Sequence, residues 1–404
     1  METKNRAHLI HSELAPGLVA LIGVSLLAAF ATACRVTTAS SRSGTASTRP
    51  VNHSEQSRPP GLRWEDQTPV WSPDGRKIVF ARASAATPEG SIAHLYVMKA
   101  NGTGVKRVTS GKISAGDPAF SPNGREIAYT AYQSDADNGA INVLPAAGGP
   151  IRSLTRALRG DSYGAQWSPD GRWIAFENSP SEWRTDLYLV RLDGSDLRKL
   201  AINISGPYAW SPDSRQIAIA DSDEQIHRLD VSSRRPFRVS DESSFGPDTT
   251  DIAWSPDGSR IAYVQGTFCM HDCSGTPSPS LWLVDVATGH SRSVSSVIPD
   301  DPFGATTIAW LRGKSPRLAV CANDDKHIVI LAPDGQKLTS ITADGGFLSL
   351  GSGSPYGRRP LFTAGGSYTQ QGLYWNNVAA VFVGDVQTHR SRQLTQRRGG
   401  DGSG

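Results

Sequence analysis

The stretch Trp71-Ser72-Pro73-Asp74-Gly75 decides the fold, because the chain repeats it. It returns unchanged at Trp167-Ser168-Pro169-Asp170-Gly171 and at Trp254-Ser255-Pro256-Asp257-Gly258. One-letter variants stand at Phe120-Ser121-Pro122-Asn123-Gly124 and Trp210-Ser211-Pro212-Asp213-Ser214. Successive leading aromatics are 49, 47, 43 and 44 residues apart, the period of a four-stranded propeller blade. In each copy Pro presets φ, Ser and Asp can bond nearby backbone, and Gly closes a type I turn.

Outward from the turn, each copy carries further strand patterns. Lys77-Ile78-Val79-Phe80-Ala81 is short, β-branched and aromatic, and so are Glu126-Ile127-Ala128-Tyr129, Trp173-Ile174-Ala175-Phe176, Gln216-Ile217-Ala218-Ile219 and Arg260-Ile261-Ala262-Tyr263. A third apolar run follows in each, such as Leu95-Tyr96-Val97-Met98 or Leu187-Tyr188-Leu189-Val190, and then a short fourth ending near Val108-Thr109, Leu154-Thr155 or Leu200-Ala201. A four-stranded sheet with two apolar faces cannot bury both alone, and radial repetition lets each sheet cover its neighbours. A sixth unit starts at Ile308-Ala309-Trp310 with an altered turn, and a seventh, more degenerate, at Leu348-Ser349-Leu350. Counting third strands gives an all-β, seven-bladed β-propeller of four-stranded antiparallel blades, with six blades plus an appended sheet as the alternative.

These motifs resemble the TolB-type, WD40-like β-propeller repeat over roughly residues 64–396. The resemblance is specific for fold and weakly specific for function, since this fold hosts many. It implies a non-enzymatic, exported scaffold that binds a protein or peptide in the cell envelope. TolB itself carries a separate N-terminal domain that takes part in its partner network; here a tether stands in that place, which puts a role in the Tol complex in doubt.

The segment before the repeats reads as an export signal. Ala15 to Ala33 is uncharged and largely apolar and ends in Ala31-Thr32-Ala33-Cys34, small residues before a cysteine. This resembles the bacterial lipobox and implies lipidation at Cys34, although Ala31 replaces the family's preferred Leu. Ordinary signal cleavage and an uncleaved anchor helix are the alternatives. Residues 1–33 are thus assigned to a signal peptide, 34–60 to a flexible Ser/Thr/Pro-rich tether, 61–396 to the propeller and 397–404 to a disordered tail. All three readings place the propeller outside the cytoplasm, in the bacterial periplasm or at the cell surface. There Cys269 and Cys273, four residues apart, most simply pair as a local disulfide. Cys321, in an apolar run, reads as a buried small hydrophobe.

Composition narrows the function. The 404 residues carry a formal net charge of +3, which predicts no nucleic-acid binding. With 40 Gly, 26 Pro and 38% hydrophobic residues, the chain suits a turn-rich β-fold. No Gly-x-Ser-x-Gly nucleophile elbow occurs, and the residues after Thr395 leave no room for a peptidase domain. His94, His227 and His327 fall on third strands of non-adjacent blades, His290 and His389 in outer turns, and His271 beside the Cys pair. No metal site and no cofactor are expected from them, and the chain is expected to act as a monomer.

Residues leading into the first strands are different, because in a propeller these line the central funnel. They include Asp66, Asp117, Asp161, Tyr163, Tyr208 and Asp251. Two readings stay open: a polar pocket for a cation, a sugar or a peptide end, or aspartates that bond local backbone. Hence the alternative function, a glycan-binding protein or a lyase- or cyclotransferase-like enzyme using the funnel.

Overall fold

The computed structural model describes residues 64–395, apart from 85–91, 134–135, 182–183, 224, 240–248, 267–279, 295–304, 314, 323–326, 343–347, 352–356 and 366–378. The signal peptide, the tether with Cys34, the Cys269/Cys273 pair, His271 and the tail lie outside the described residues.

Seven four-stranded antiparallel sheets follow one another along the chain, and each is built from four consecutive strands. The first strands are Trp64–Trp71, Ser114–Phe120, Asp161–Trp167, Ile204–Trp210, Thr249–Trp254, Ala305–Leu311 and Leu348–Leu350. First strands of successive blades lie against each other from blade 1 to 3 and from blade 4 to 7, so they form the innermost layer of the ring. Seven apolar clusters fill the seams between blades, and Cys321 is buried in the one between blades 6 and 7. Among the described residues no strand is exchanged between first and last blade. The ring closes by packing: Trp71, Ile78, Phe80 and Met98 of blade 1 meet Leu361, Val381, Val383 and Leu394 of blade 7.

The repeated pentapeptide serves this geometry twice over. Inside the turn, Ser72 Oγ donates to Asp74 Oδ1 at 2.6 Å and accepts the Lys77 amide at 2.9 Å, while Asp74 Oδ1 also accepts the Arg76 amide. The same circuit closes at Ser121, Ser168, Ser211 and Ser255. Gly75, Gly124, Gly171 and Gly258 all sit at positive φ, and Ser214 takes that conformation at +64°. Between blades, the leading Trp is a directional staple. The Nε1 of Trp167, Trp210 and Trp310 donates to Ala119 O, Gln166 O and Ala253 O, each one residue before the aromatic of the preceding blade. Trp71 likewise reaches Arg359 O of blade 7 across the closing seam. Shape alone would accept any large aromatic; the indole N–H adds a bond that Phe120 cannot make.

The outer rim has staples of its own. Basic side chains on fourth strands reach the next blade's outer turn: Lys106 to Ala147 O, Arg152 to Leu192 O and Arg392 to Asn101 O. Thr109, Thr155 and Thr395 close the short fourth strands by accepting the amides of Leu95, Ile141 and Val381.

Six of the seven first strands are broken by a register shift a few residues before the aromatic. In blades 1 to 4 the extra residues include a left-handed one: Thr68 at +45°, Asp117 at +48°, Gly164 at +66° and Gly206 at +111°. Such bulges re-aim side chains. Because pairing resumes upstream of the bulge, the first strands begin earlier than the sequence pattern suggests. Asp66, Asp117, Asp161, Tyr163, Tyr208 and Asp251 therefore lie within first strands rather than in the segments leading to them.

Candidate functional site

At the bulge, three residues before each aromatic, the chain carries Thr68, Asp117, Gly164, Asp251 and Thr307 in blades 1, 2, 3, 5 and 6. Two of these explain what the position does by default. Asp251 accepts the Ile308 amide of blade 6 through Oδ2 at 2.8 Å and its neighbour Ile252's amide through Oδ1 at 2.8 Å. Thr307 Oγ1 accepts the Leu350 amide of blade 7 at 3.1 Å. In blades 5 and 6 the position is an inter-blade staple, whereas Thr68 Oγ1 in blade 1 makes no hydrogen bond among the described residues. Burial pushes the Asp251 carboxyl up to about 7, against the pull of both amides toward the charged form.

Most of the sequence-derived site residues are occupied in the same way. Asp66 holds Arg82 in a two-point ion pair at 2.5 and 2.9 Å, and that guanidinium also lies over the rings of Phe80 and Tyr96. Asp161 accepts the Gly139 amide of blade 2 at 2.6 Å. Tyr208 is buried in the seam of blades 3 and 4, its hydroxyl within reach of Gly164 O at 2.6 Å and Ala175 O at 2.7 Å. The backbone-bonding reading thus describes Asp161 and Asp251, an ion pair takes Asp66, and Tyr208 is a seam residue.

Asp117 and Tyr163 are exceptions. Asp117 stands at the staple position, yet among the described residues no amide of blade 3 reaches it. Its contacts are Tyr132, whose hydroxyl is 3.4 Å from Oδ2, and Thr130. Burial raises its carboxyl and those two hydroxyls oppose the rise. Surrounded by protein yet keeping part of its surface accessible, it has the setting of a group lining a narrow channel. Tyr163 forms a hydroxyl triangle with Ser179 Oγ at 2.9 Å and Thr185 Oγ1 at 3.3 Å, themselves 3.0 Å apart.

Beside that triangle lies Glu177, which the motif search passed over. It pairs across the sheet with Tyr163 and is 3% exposed. No cation and no backbone amide contacts its carboxylate among the described residues; its hydrogen-bonding neighbour is the already shared Tyr163 hydroxyl. Burial, reinforced by the charge of Asp117, pushes it up to about 8. Aligning second strands would have found it. At this column the other blades place Ala81, Thr130, Ala220, Val264, Cys321 and Ala364, all small or apolar. Blade 3 breaks the column with a carboxylate.

His94, His227 and His327 lie on third strands of three separate blades. Among the described residues no three His, Cys, Asp or Glu side chains are grouped to hold a metal ion.

Comparison with known proteins follows the repeats. Residues 67–246 match the family model described as the TolB beta propeller domain. The uncharacterized peptidase YuxL of Bacillus subtilis is 26% identical over 213 residues, covering 49% of this chain and 29% of YuxL. The Tol-Pal system protein TolB of Francisella tularensis is 25% identical over 205 residues, covering 49% of this chain and 45% of TolB. The chain thus spans less than half the length of either relative. Among solved structures, the beta-propeller domain of the Trilobed protease from Pyrococcus furiosus, described as having an open velcro topology, superposes with a TM-score of 0.58 at 11% identity, covering 83% of this chain and 97% of that one. At that identity the likeness speaks for the fold alone; among the described residues the sheet order here shows each blade built from its own four consecutive strands. Repeats and ring agree on a seven-bladed β-propeller, and its residues 67–246 match the TolB beta propeller domain.

Proposed function

We propose that this chain is an exported, lipid-anchored, non-enzymatic scaffold that binds a protein or peptide of the cell envelope at the channel formed by its first strands. The observation that carries the reading is a ring of TolB-type repeats in which Asp161, Asp251, Thr307 and Tyr208 staple blade to blade, while Asp117 at the same bulge position bonds only hydroxyls of its own blade among the described residues. A stapled ring is rigid and presents its unsatisfied groups at low entropic cost, which suits recognition. The export segment before Cys34 and the polar tether supply the route and the attachment: lipid at Cys34, reach through residues 35–60, and the propeller held clear of the membrane.

The test uses the full chain, cross-linked in envelope fractions and recovered. The expected result is one protein partner, lost with Asp117→Lys. Recovery of a glycan with no protein partner would move the reading to a glycan-binding propeller, and turnover of that glycan would make it an enzyme. Cys34→Ser should release the chain from membranes into the soluble fraction; retention would remove the lipid anchor from the proposal.

A further inference from the structure

The seam that closes the ring also gathers charge. At the end of the ring where first strands turn into second strands, blade 7 carries Arg358, Arg359 and Arg390, and blade 1 carries Arg76, Lys77 and Lys99, all exposed. Hydrogen bonds hold these residues on one surface. The Arg76 carbonyl accepts the Ala100 amide and the Arg358 carbonyl the Val386 amide, so in each blade the first turn is tied to the turn between third and fourth strands. Lys77 stands opposite Lys99, and Arg390 opposite Asp385, on neighbouring strands. Across the seam Trp71 Nε1 donates to Arg359 O at 3.3 Å, and Arg392 reaches Asn101 O at 3.2 Å.

Among the described residues these six cations meet two carboxylates, and both are taken up by their own turns. Asp74 accepts the Ser72 hydroxyl and the Arg76 amide; Asp385 accepts the amides of Gln387 and Thr388. Arg359 comes only to 3.9 Å from Asp385, a loose surface pair. The corner is thus more positive than the whole chain, whose formal net charge is +3. Apolar side chains stand at its edge. Val105, which ends the outer turn of blade 1, is 42% exposed beside Lys106, and Ile151, at the same place in blade 2, is 46% exposed beside Arg152.

We propose that this corner of blades 7 and 1 docks on the surface of an anionic phospholipid bilayer. Cations on long stems over an open surface suit a dense field of headgroup phosphates, and exposed aliphatic residues beside them can enter the headgroup layer. The side chains of Arg76, Lys77, Lys99, Arg358 and Arg390 make no hydrogen bond or ion pair among the described residues. A folded acidic protein would have to fix each of them in register at the cost of its rotamer freedom. A fluid lipid surface makes no such demand. The surface is separate from the channel and from Cys34, so the inference does not depend on either.

The test is co-sedimentation of the full chain with vesicles of phosphatidylcholine alone and with vesicles in which about a third of the lipid is phosphatidylglycerol. The apolar stretch from Ala15 to Ala33 would bind both vesicles alike, so the difference between them reports the charged corner. Binding to the anionic vesicles at least about tenfold tighter at low salt, with the difference lost near 1 M salt, is the expected result. Arg76→Ser, Arg358→Ser and Arg390→Ser together should abolish most of that difference and leave the melting temperature unchanged, since Ser259 already occupies the Arg76 position in blade 5. Lys112→Ser, Arg156→Ser and Arg159→Ser remove the same charge from the opposite end of the ring, in the connections from fourth strands to the next first strands, and should leave it intact. Equal binding to both vesicles, binding to neither, or an equal loss from the two triple variants would overturn the proposal. Soluble polyglutamate that binds the parent more tightly than the anionic vesicles, and loses that binding in the first triple variant, would make the partner an acidic polypeptide and overturn the lipid surface.

Discussion

Asp251 in blade 5 and Glu177 in blade 3 are both carboxylates held near the inner layer of the ring, and burial pushes both up, to about 7 and about 8. Their surroundings are opposite. Asp251 has an amide on each oxygen and ties blade 5 to blade 6; Glu177 has neither amide nor cation among the described residues. The contrast teaches that a raised carboxyl in this ring does not by itself mark a site. Donors decide: a carboxylate held by two backbone amides is part of the frame, and one that only shares a tyrosine hydroxyl is not.

The sharpest way to break this contrast is Asp251→Ala. It leaves two amides unsatisfied at the seam of blades 5 and 6 and should cost about 3 kcal/mol in a denaturant melt. A loss under 1 kcal/mol would mean that water replaces the carboxylate and that the position is no staple.

Glu177→Ala should act in the other direction. A carboxyl whose folded value is raised binds its proton more tightly when folded, so its protonated form supports the fold below the unfolded value near 4.5. That support is lost as pH rises through about 8. Thermal melts of the parent should therefore fall between pH 5 and pH 8.5, and Glu177→Ala should flatten that fall and gain about 2 kcal/mol at pH 8.5. An unchanged slope would mean that Glu177 already has a counter-charge.

The smallest effect tests the frame. Trp167→Phe keeps the ring in the seam but removes the Nε1 bond to Ala119 O, and should cost about 1 kcal/mol. Blade 2 already lives with Phe120 at this position, so the loss should not grow toward the 3–5 kcal/mol of a true cavity. If it does, the bond and the packing are not separable.

Much of the fold was legible because repetition exposes it. A pentapeptide that recurs every 43 to 49 residues fixes the blade, and third strands such as Leu187–Val190 fix the count at seven even where the turn has worn away in blades 6 and 7. The site was legible only in part. Asp117 and Tyr163 came from their place near the channel, but so did Asp66, Asp161, Tyr208 and Asp251, which the structure uses for ion pairs and staples. Glu177 was missed because the search read motifs along the chain, whereas the clue lay in comparing one column across seven blades.

The sequence by itself determined the blade, its turn chemistry and the number of blades, because these depend on local pattern: two-residue alternation throughout, with the Ser-Pro-Asp-Gly-type turn and its leading aromatic in the first five repeats. Tertiary structure alone decided which polar groups are satisfied. A staple such as Asp251 to the Ile308 amide joins residues 57 positions apart, and the same aspartate in blade 2 finds no such amide. Whether a donor arrives depends on how a neighbouring blade's bulge is turned, and a blade's own sequence does not carry that information.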